Sequence, residues 1–373
     1  MEPRALPESM RDLAADLLDR PAPEGARWIA LVRVHELNLV RARLDAPGDD
    51  EALHDFRVAL RRLRSVARAY GDVLRDSVSR PMRRRLARLA RAASASRDAE
   101  VHLHWLDARR AGLEVADGPG ANFIEQRLKR DRRAGDRELR RELEGHFSDV
   151  SGRLHRRLLR YRVIRSLGDD HALSPARELL AGTLRRQADA LRAHLDAPYT
   201  IADARALHRC RIAAKRLRYG LEPIAEGRFA PPAMRRTAAA AITQLRTLQD
   251  QLGQIRDAHV FGHWLAEQAA ADAARRARRR VDMVGVAGSA RPPAAPLDVT
   301  VHPMLVGLQR QLRDEAERSF RAINGAASKR RAARMLVAVG ALADRLAPVA
   351  PAAVAAAAPR FPTPNPRRTL PGE

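Results

Sequence analysis

Cysteine is almost missing from this sequence. Cys210 is the only one in 373 residues, so no intrachain disulfide and no cysteine-based metal site can form, and a reducing compartment is expected. Aromatic residues are scarce, at 4%, which leaves few faces on which nucleotide bases could stack. Lysine is rare as well: only Lys129, Lys215 and Lys329 occur, and arginine supplies nearly all the positive charge. Long apolar runs are lacking. The most apolar stretch, 336–358, is mostly alanine and is interrupted by Asp344, Arg345, Pro348 and Pro351, so it does not read as a membrane span. The opening Met1-Glu2-Pro3-Arg4-Ala5-Leu6-Pro7 has no basic stretch followed by an apolar core, as a secretory signal would. A cytoplasmic protein without a membrane partner is the expectation.

What is abundant is positive charge. Lys and Arg number 69 against 45 Asp and Glu, a formal +24, which points first to a polyanionic partner. Ala, Leu and Arg dominate and apolar residues recur at three- and four-residue spacing, so an all-α fold is predicted. Helices are expected near 26–45, 51–75, 81–111, 119–145, 147–166, 175–195, 203–226, 232–274 with a break, and 303–346. Residues 1–25 read as a flexible leader, closed by Pro21-Ala22-Pro23. A loop is expected over 285–296, and an Ala/Pro-rich disordered tail over 347–373. The domain between, 26–346, divides into halves of about 26–166 and 175–346.

That division rests on an internal repeat. Ala52-Leu53-His54-Asp55-Phe56-Arg57-Val58-Ala59-Leu60-Arg61-Arg62-Leu63-Arg64 returns as Ala206-Leu207-His208-Arg209-Cys210-Arg211-Ile212-Ala213-Ala214-Lys215-Arg216-Leu217-Arg218. A second block follows each copy: Arg97-Asp98-Ala99 with His104-Trp105-Leu106, then Arg256-Asp257-Ala258 with His263-Trp264-Leu265. Two blocks in one order at nearly one spacing predict two similar helical bundles related by a pseudo-twofold axis.

At about 100° per residue, Phe56, Leu60, Leu63, Ala67 and Tyr70 fall on one face and form core, as do Cys210, Ala214, Leu217, Leu221 and Ile224. His54, Arg57, Arg61 and Arg64 form a second stripe roughly 100 to 120° away. His208, Arg211, Lys215 and Arg218 reproduce it, and Arg62 and Arg216 match beside it. Like charges stacked on successive turns cost a few tenths of a kcal/mol per pair, so helix stability does not account for the row. A linear polyanion does, because turns rise about 5.4 Å and arginine forks grip phosphate oxygens in pairs. Any one of these arginines could be merely solvated; their repetition, at positions flanked by others that diverged (Arg68 against Glu222), favours function. Both Arg57 and Arg211 lie off the apolar face, so their replacement is expected to cost affinity without stability. Near the helix starts, His54 and His208 can hydrogen-bond phosphate. Asp98 and Asp257 are read as carboxylates that orient Arg97, Arg256 or the stripe, and Trp105 and Trp264 as core anchors.

The doubled H-x-x-R-x-x-x-[RK]-R-x-R pattern, with the Arg97-Asp98 and Arg256-Asp257 blocks, resembles the CHAD family, the conserved histidine α-helical domain, over about 26–346. The resemblance implies two pseudo-twofold-related antiparallel helical bundles with a shared basic cleft that binds inorganic polyphosphate, and association with polyphosphate granules. It implies ligand-facing positions at His54, Arg57, Arg61, Arg62, Arg64, His208, Arg211, Lys215, Arg216 and Arg218, with Arg97 and Arg256 beside them. No E-x-E-x-K stretch of the fused triphosphatase type is present.

Two other classes compete. A nonspecific nucleic-acid binder suits the charge equally well, but no aromatics interleave the basic rows and no helix-turn-helix pattern occurs, so only weak binding at low salt is expected. A metal-dependent phosphate-processing enzyme would need clustered carboxylates or a Gly-rich phosphate loop, and neither lies near the stripes. His259 and His263 have i,i+4 spacing but lack the glutamate of a zinc-protease motif, and His102 and His104 point to opposite sides of a helix. No catalytic residue, metal site or cofactor is therefore expected.

Overall fold

The structure is a computed structural model and describes residues 9–46, 49, 51–109, 118–160, 174–286 and 301–347. Those residues are predominantly helical, with no strand among them and a single isolated bridge between Pro21 and Pro175. The helices are α1 (Ala22–Arg43), α2 (Ala52–Ala69), α3 (Arg80–Asp107), α4 (Gly118–Glu142), α5 (Ser148–Leu159), α6 (Ala176–Asp196), α7 (Ala204–Glu226), α8 (Pro232–Val286), α9 (Val301–Asn324) and α10 (Ala326–Leu346). None is long and apolar enough to cross a membrane.

Local chemistry accounts for the boundaries. Proline occupies the first turn of α1, α3 and α8 (Pro23, Pro81, Pro232), where its missing N–H costs nothing and its fixed φ suits a helix. Along α2 the spaced apolar residues Phe56, Leu60, Leu63 and Ala67 are all buried, and along α7 Cys210, Ala214, Leu217, Leu221 and Ile224 are fully so. These are the faces the periodicity assigned to the core. At about 25 cal/mol per Å² of apolar area, such burial supplies the main driving force.

Several boundaries differ from the sequence reading. Helix α2 stops at Ala69, short of residue 75, and the chain turns through Gly71. The break expected near 145–147 is a single π turn, Leu143–Phe147, which joins α4 to α5 while burying Leu143 and Phe147; one wide turn restores the apolar face without ending the helix. Helix α8 runs unbroken to Val286. The helix expected over 303–346 divides at Gly325, whose ψ of 141° leaves the helical range, and α10 turns back onto α6 and α8. Glycine is a poor helix former, and the return buries Met335, Leu336, Val339 and Leu342. The segment read as a flexible leader is packed from residue 9: Met10, Leu13 and Leu17 are buried in the common core. The rest of the 285–296 loop beyond 286, and the tail beyond 347, lie outside the described residues.

The main contacts between the halves pair α1 with α6, α2 with α7, α3 with α8 and α4 with α9. Four of the five helices of the first half thus meet the helix five places further on. Reciprocal hydrogen bonds accompany these contacts. Trp105 Nε1 on α3 donates to Glu315 Oε2 of α9 at 2.9 Å, and Trp264 Nε1 on α8 donates to Asp131 Oδ2 of α4 at 3.1 Å. Both tryptophans pack against the core, so their polar tips tie one half to the other.

Candidate anion-binding site

Where α2 faces α7, flanked by α3 and α8, basic side chains from all four helices converge. Lys215 sits half-buried near Arg211, Arg61, Arg218 and Arg256. Burial first, and then those four charges, push its pKa down to about 6, because an ammonium out of water and beside cations is disfavoured. Arg211 is likewise lowered, by burial and then by Arg256, with Arg61 and Arg97 adding to it. Arg61 is lowered by burial and by Arg218 and Arg97. His208, at the exposed end of the row, is lowered by burial, Arg211, Arg256 and Lys215.

Few partners offset this repulsion. The Nε atoms of Arg61 and Arg211 are buried and have no hydrogen-bond partner among the described residues, although buried donors are ordinarily satisfied. Arg211 packs over Gly253 of α8, where an added Cβ would lie 3.8 Å from its Nε. Arg218 lies over the Tyr219 ring, 4.7 Å from its centroid, and donates from Nη2 to Tyr219 Oη at 2.8 Å. Arg218 Nε lies 4.0 Å from Glu222 Oε1, while Arg256 is held by two carboxylates. Its Nη2 is 3.1 Å from Asp98 Oδ2 of the other half and its Nη1 is 2.8 Å from Asp257 Oδ1. Burial alone would lower its pKa, and the two aspartates reverse the direction.

Of the residues singled out by sequence, His208, Arg61, Arg97, Arg211, Lys215, Arg218 and Arg256 are thus brought together, with Asp98 and Asp257 orienting Arg256. The others are not. Arg57 is buried against α3, where Nε donates to Ala93 O at 2.7 Å, Nη2 to Ser96 Oγ at 2.8 Å and Nη1 to Glu100 Oε2 at 3.1 Å. It is a strut between helices, which corrects the expectation that it stands free of the fold. Arg62 lies with its Nε 2.9 Å from Glu222 Oε2 and is spent on an internal ion pair. Arg64 has Arg68 and Arg91 as its charged neighbours, and Arg216 has Arg68. His54 is exposed at the outer end of α2.

A charged group that sequence reasoning missed lies behind the site. Arg33 of α1 is 1% exposed and pairs with Glu36 at 2.7 Å, Glu226 at 3.4 Å and Glu222 at 3.5 Å. Burial alone would lower the pKa of Arg33, and the three glutamates outweigh it. Glu222 therefore knots α1, α2 and α7 together. The available signals were a charged residue inside the apolar run Ile29–Leu37, and a carboxylate where the first copy of the repeat has Arg68.

These features define an all-helical protein with a half-buried, underneutralised cationic cluster between two matching halves. The chain belongs to the CHAD domain family, whose model matches residues 30–266. Two solved structures share the fold. The CHAD domain from the plant Ricinus communis is 18% identical, with a TM-score of 0.56 and coverage of 87% of this chain and 93% of that one. PptA from Streptomyces chartreusis is 17% identical, with a TM-score of 0.52 and coverage of 81% and 100%. At such identities the likeness is one of fold. No curated protein sequence gives a significant match.

Proposed function

We propose that the chain binds inorganic polyphosphate, without acting on it, in the cluster of Arg61, Arg97, His208, Arg211, Lys215, Arg218 and Arg256. The observation that carries this reading is the convergence of cations from four helices with buried guanidinium nitrogens left unpartnered. Such a cluster opposes folding unless an anion enters it. Phosphate oxygens would satisfy the free Nε donors and return Lys215 to its charged form. The resemblance to the CHAD family supports a chain of phosphates over a single one, and the same contacts would hold the protein on polyphosphate granules.

Binding, not turnover, fits the chemistry of the cluster. Asp98 and Asp257 are occupied by Arg256, and no group of three His, Cys, Asp or Glu side chains is suited to a metal ion among the described residues. A nucleic-acid ligand is the second reading, favoured by the +24 charge. Against it, the aromatic ring within the cluster, Tyr219, is buried beneath Arg218 and offers no face to a base. Competition at equal phosphate concentration and physiological salt separates the two. Labelled polyphosphate should resist displacement by tRNA and duplex DNA, and its displacement by either would transfer the site to nucleic acid.

A further inference from the structure

Beyond the cluster, the turn between α2 and α3 forms a cleft of about 730 Å³. Arg64, Arg68, Arg75, Arg80 and Arg83 line it, against one acidic residue, Asp72. No carboxylate pairs with any of these five arginines among the described residues. Arg64 is held below its ordinary pKa by burial and by its neighbours Arg68 and Arg91. Gly71 opens the turn to Arg83: a Cβ there would lie 3.3 Å from Arg83 Nη1.

This cleft continues the cationic cluster. Arg61, Arg64 and Arg68 step along α2 by three and four residues, so Arg68 lies about 10 Å beyond Arg61 at 1.5 Å per residue. On the facing helix, Arg97 belongs with Arg61 and Arg91 with Arg64. Two antiparallel rows thus lead from the cluster to the cleft.

Among the described residues, the equivalent position of the other half has no such extension. At the repeat's spacing of 154 residues (His54 to His208), Arg68, Asp72 and Arg75 correspond to Glu222, Glu226 and Phe229. Glu222 and Glu226 are bound to Arg33 and Arg62. The position that is an open basic cleft in one half is a closed, acid-lined knot in the other.

We propose that the α2–α3 cleft is a second phosphate-binding subsite, taking the part of a long polyphosphate chain that leaves the central cluster, so that the chain exits over the first half only. This rests on the polyphosphate reading above and adds a direction and a length requirement to it.

The test compares tripolyphosphate with long-chain polyphosphate, titrated into the full chain by calorimetry. Arg68→Gln/Arg83→Gln, and separately Arg75→Gln/Arg80→Gln, should weaken long-chain binding about tenfold, the loss of charge-assisted hydrogen bonds, and leave tripolyphosphate unchanged. The control Arg330→Gln/Arg334→Gln removes equal charge from the exposed side of α10 and should leave both ligands unchanged. Arg211→Ala should lose both. If neither cleft variant weakens long-chain binding while Arg211→Ala does, the subsite is refuted and the central reading stands. Equal losses in the α10 control, or for tripolyphosphate in the cleft variants, refute it too. If Arg211→Ala also binds long chains normally, the central reading falls and the subsite with it.

Discussion

The imidazole of His102 lies flat against the ring of Phe261, with centroids 4.2 Å apart and planes 12° from parallel. The two are counterparts in the repeat: the spacing of 159 residues that carries Arg97 to Arg256 carries His102 to Phe261. Trp105 and Trp264 both pack on the same Phe261 ring, at 5.4 Å and 5.8 Å. An aromatic cluster centred on Phe261 therefore sits at the seam where α3 meets α8, a few residues from the Arg256–Asp98 pair.

That cluster makes the seam sensitive to acid. Burial lowers the pKa of His102 to about 4, outweighing the opposing pull of Asp98 and Asp257, while Arg256 lowers it further. The unfolded chain titrates near 6.5 and so binds more protons than the folded one between the two values. This contribution to stability is complete above about 6.5 and is lost as the pH falls towards 4. Thermal melts of the wild type and His102→Phe over pH 4 to 8 should diverge on the acid side. Parallel curves would show that His102 is not held neutral.

Arg57 and Arg211 are equivalent in sequence and should behave oppositely. Arg57→Ala removes three hydrogen bonds to α3 and is expected to cost about 2 kcal/mol of stability. Arg211→Ala relieves repulsion and removes a buried unpartnered donor, so its melting point should be unchanged or raised while polyphosphate affinity drops. Denaturation and binding measured on both variants decide this, and a stable Arg57→Ala protein would overturn the strut.

Lys215 should couple binding to proton uptake. With its pKa near 6 in the free protein, it is mostly neutral at pH 7.5, and a polyanion raises the pKa of a nearby ammonium. Affinity should therefore increase as pH is lowered from about 9 towards 6. Calorimetry in buffers of different ionisation enthalpy should register close to one proton taken up at pH 7.5. Lys215→Arg, which stays charged, should lose that uptake and keep the binding.

Glu222→Ala should be among the most damaging substitutions. It leaves Arg33 and Arg62 without their shared buried carboxylate, and breaking such a buried pair costs about 3 to 5 kcal/mol. Urea unfolding measures the loss, and a change below about 1 kcal/mol would show that Glu36 and Glu226 suffice.

The repeat put a cationic row along one side each of α2 and α7, and the offsets of Phe56, Leu60 and Leu63 marked the core beside it. What it could not rank was which member of each pair is free. Arg57 and Arg211 share a register on their own helices, yet Arg57 meets Glu100 and Ser96 on α3 while Arg211 meets Gly253 on α8. Nor could it show that Arg62 is consumed by Glu222, since that carboxylate lies 160 residues further along the chain.

From the sequence alone came the all-helical character, the doubling, the sign of the charge and the faces that carry it, because periodicity along a helix is a local property written in residue spacing. Tertiary structure alone decided which cations are neutralised, where the row continues into a cleft and where it is sealed. Those outcomes depend on which carboxylate, glycine or aromatic ring a distant helix presents, and an ion pair forms only where folding brings its two charges within a few ångströms.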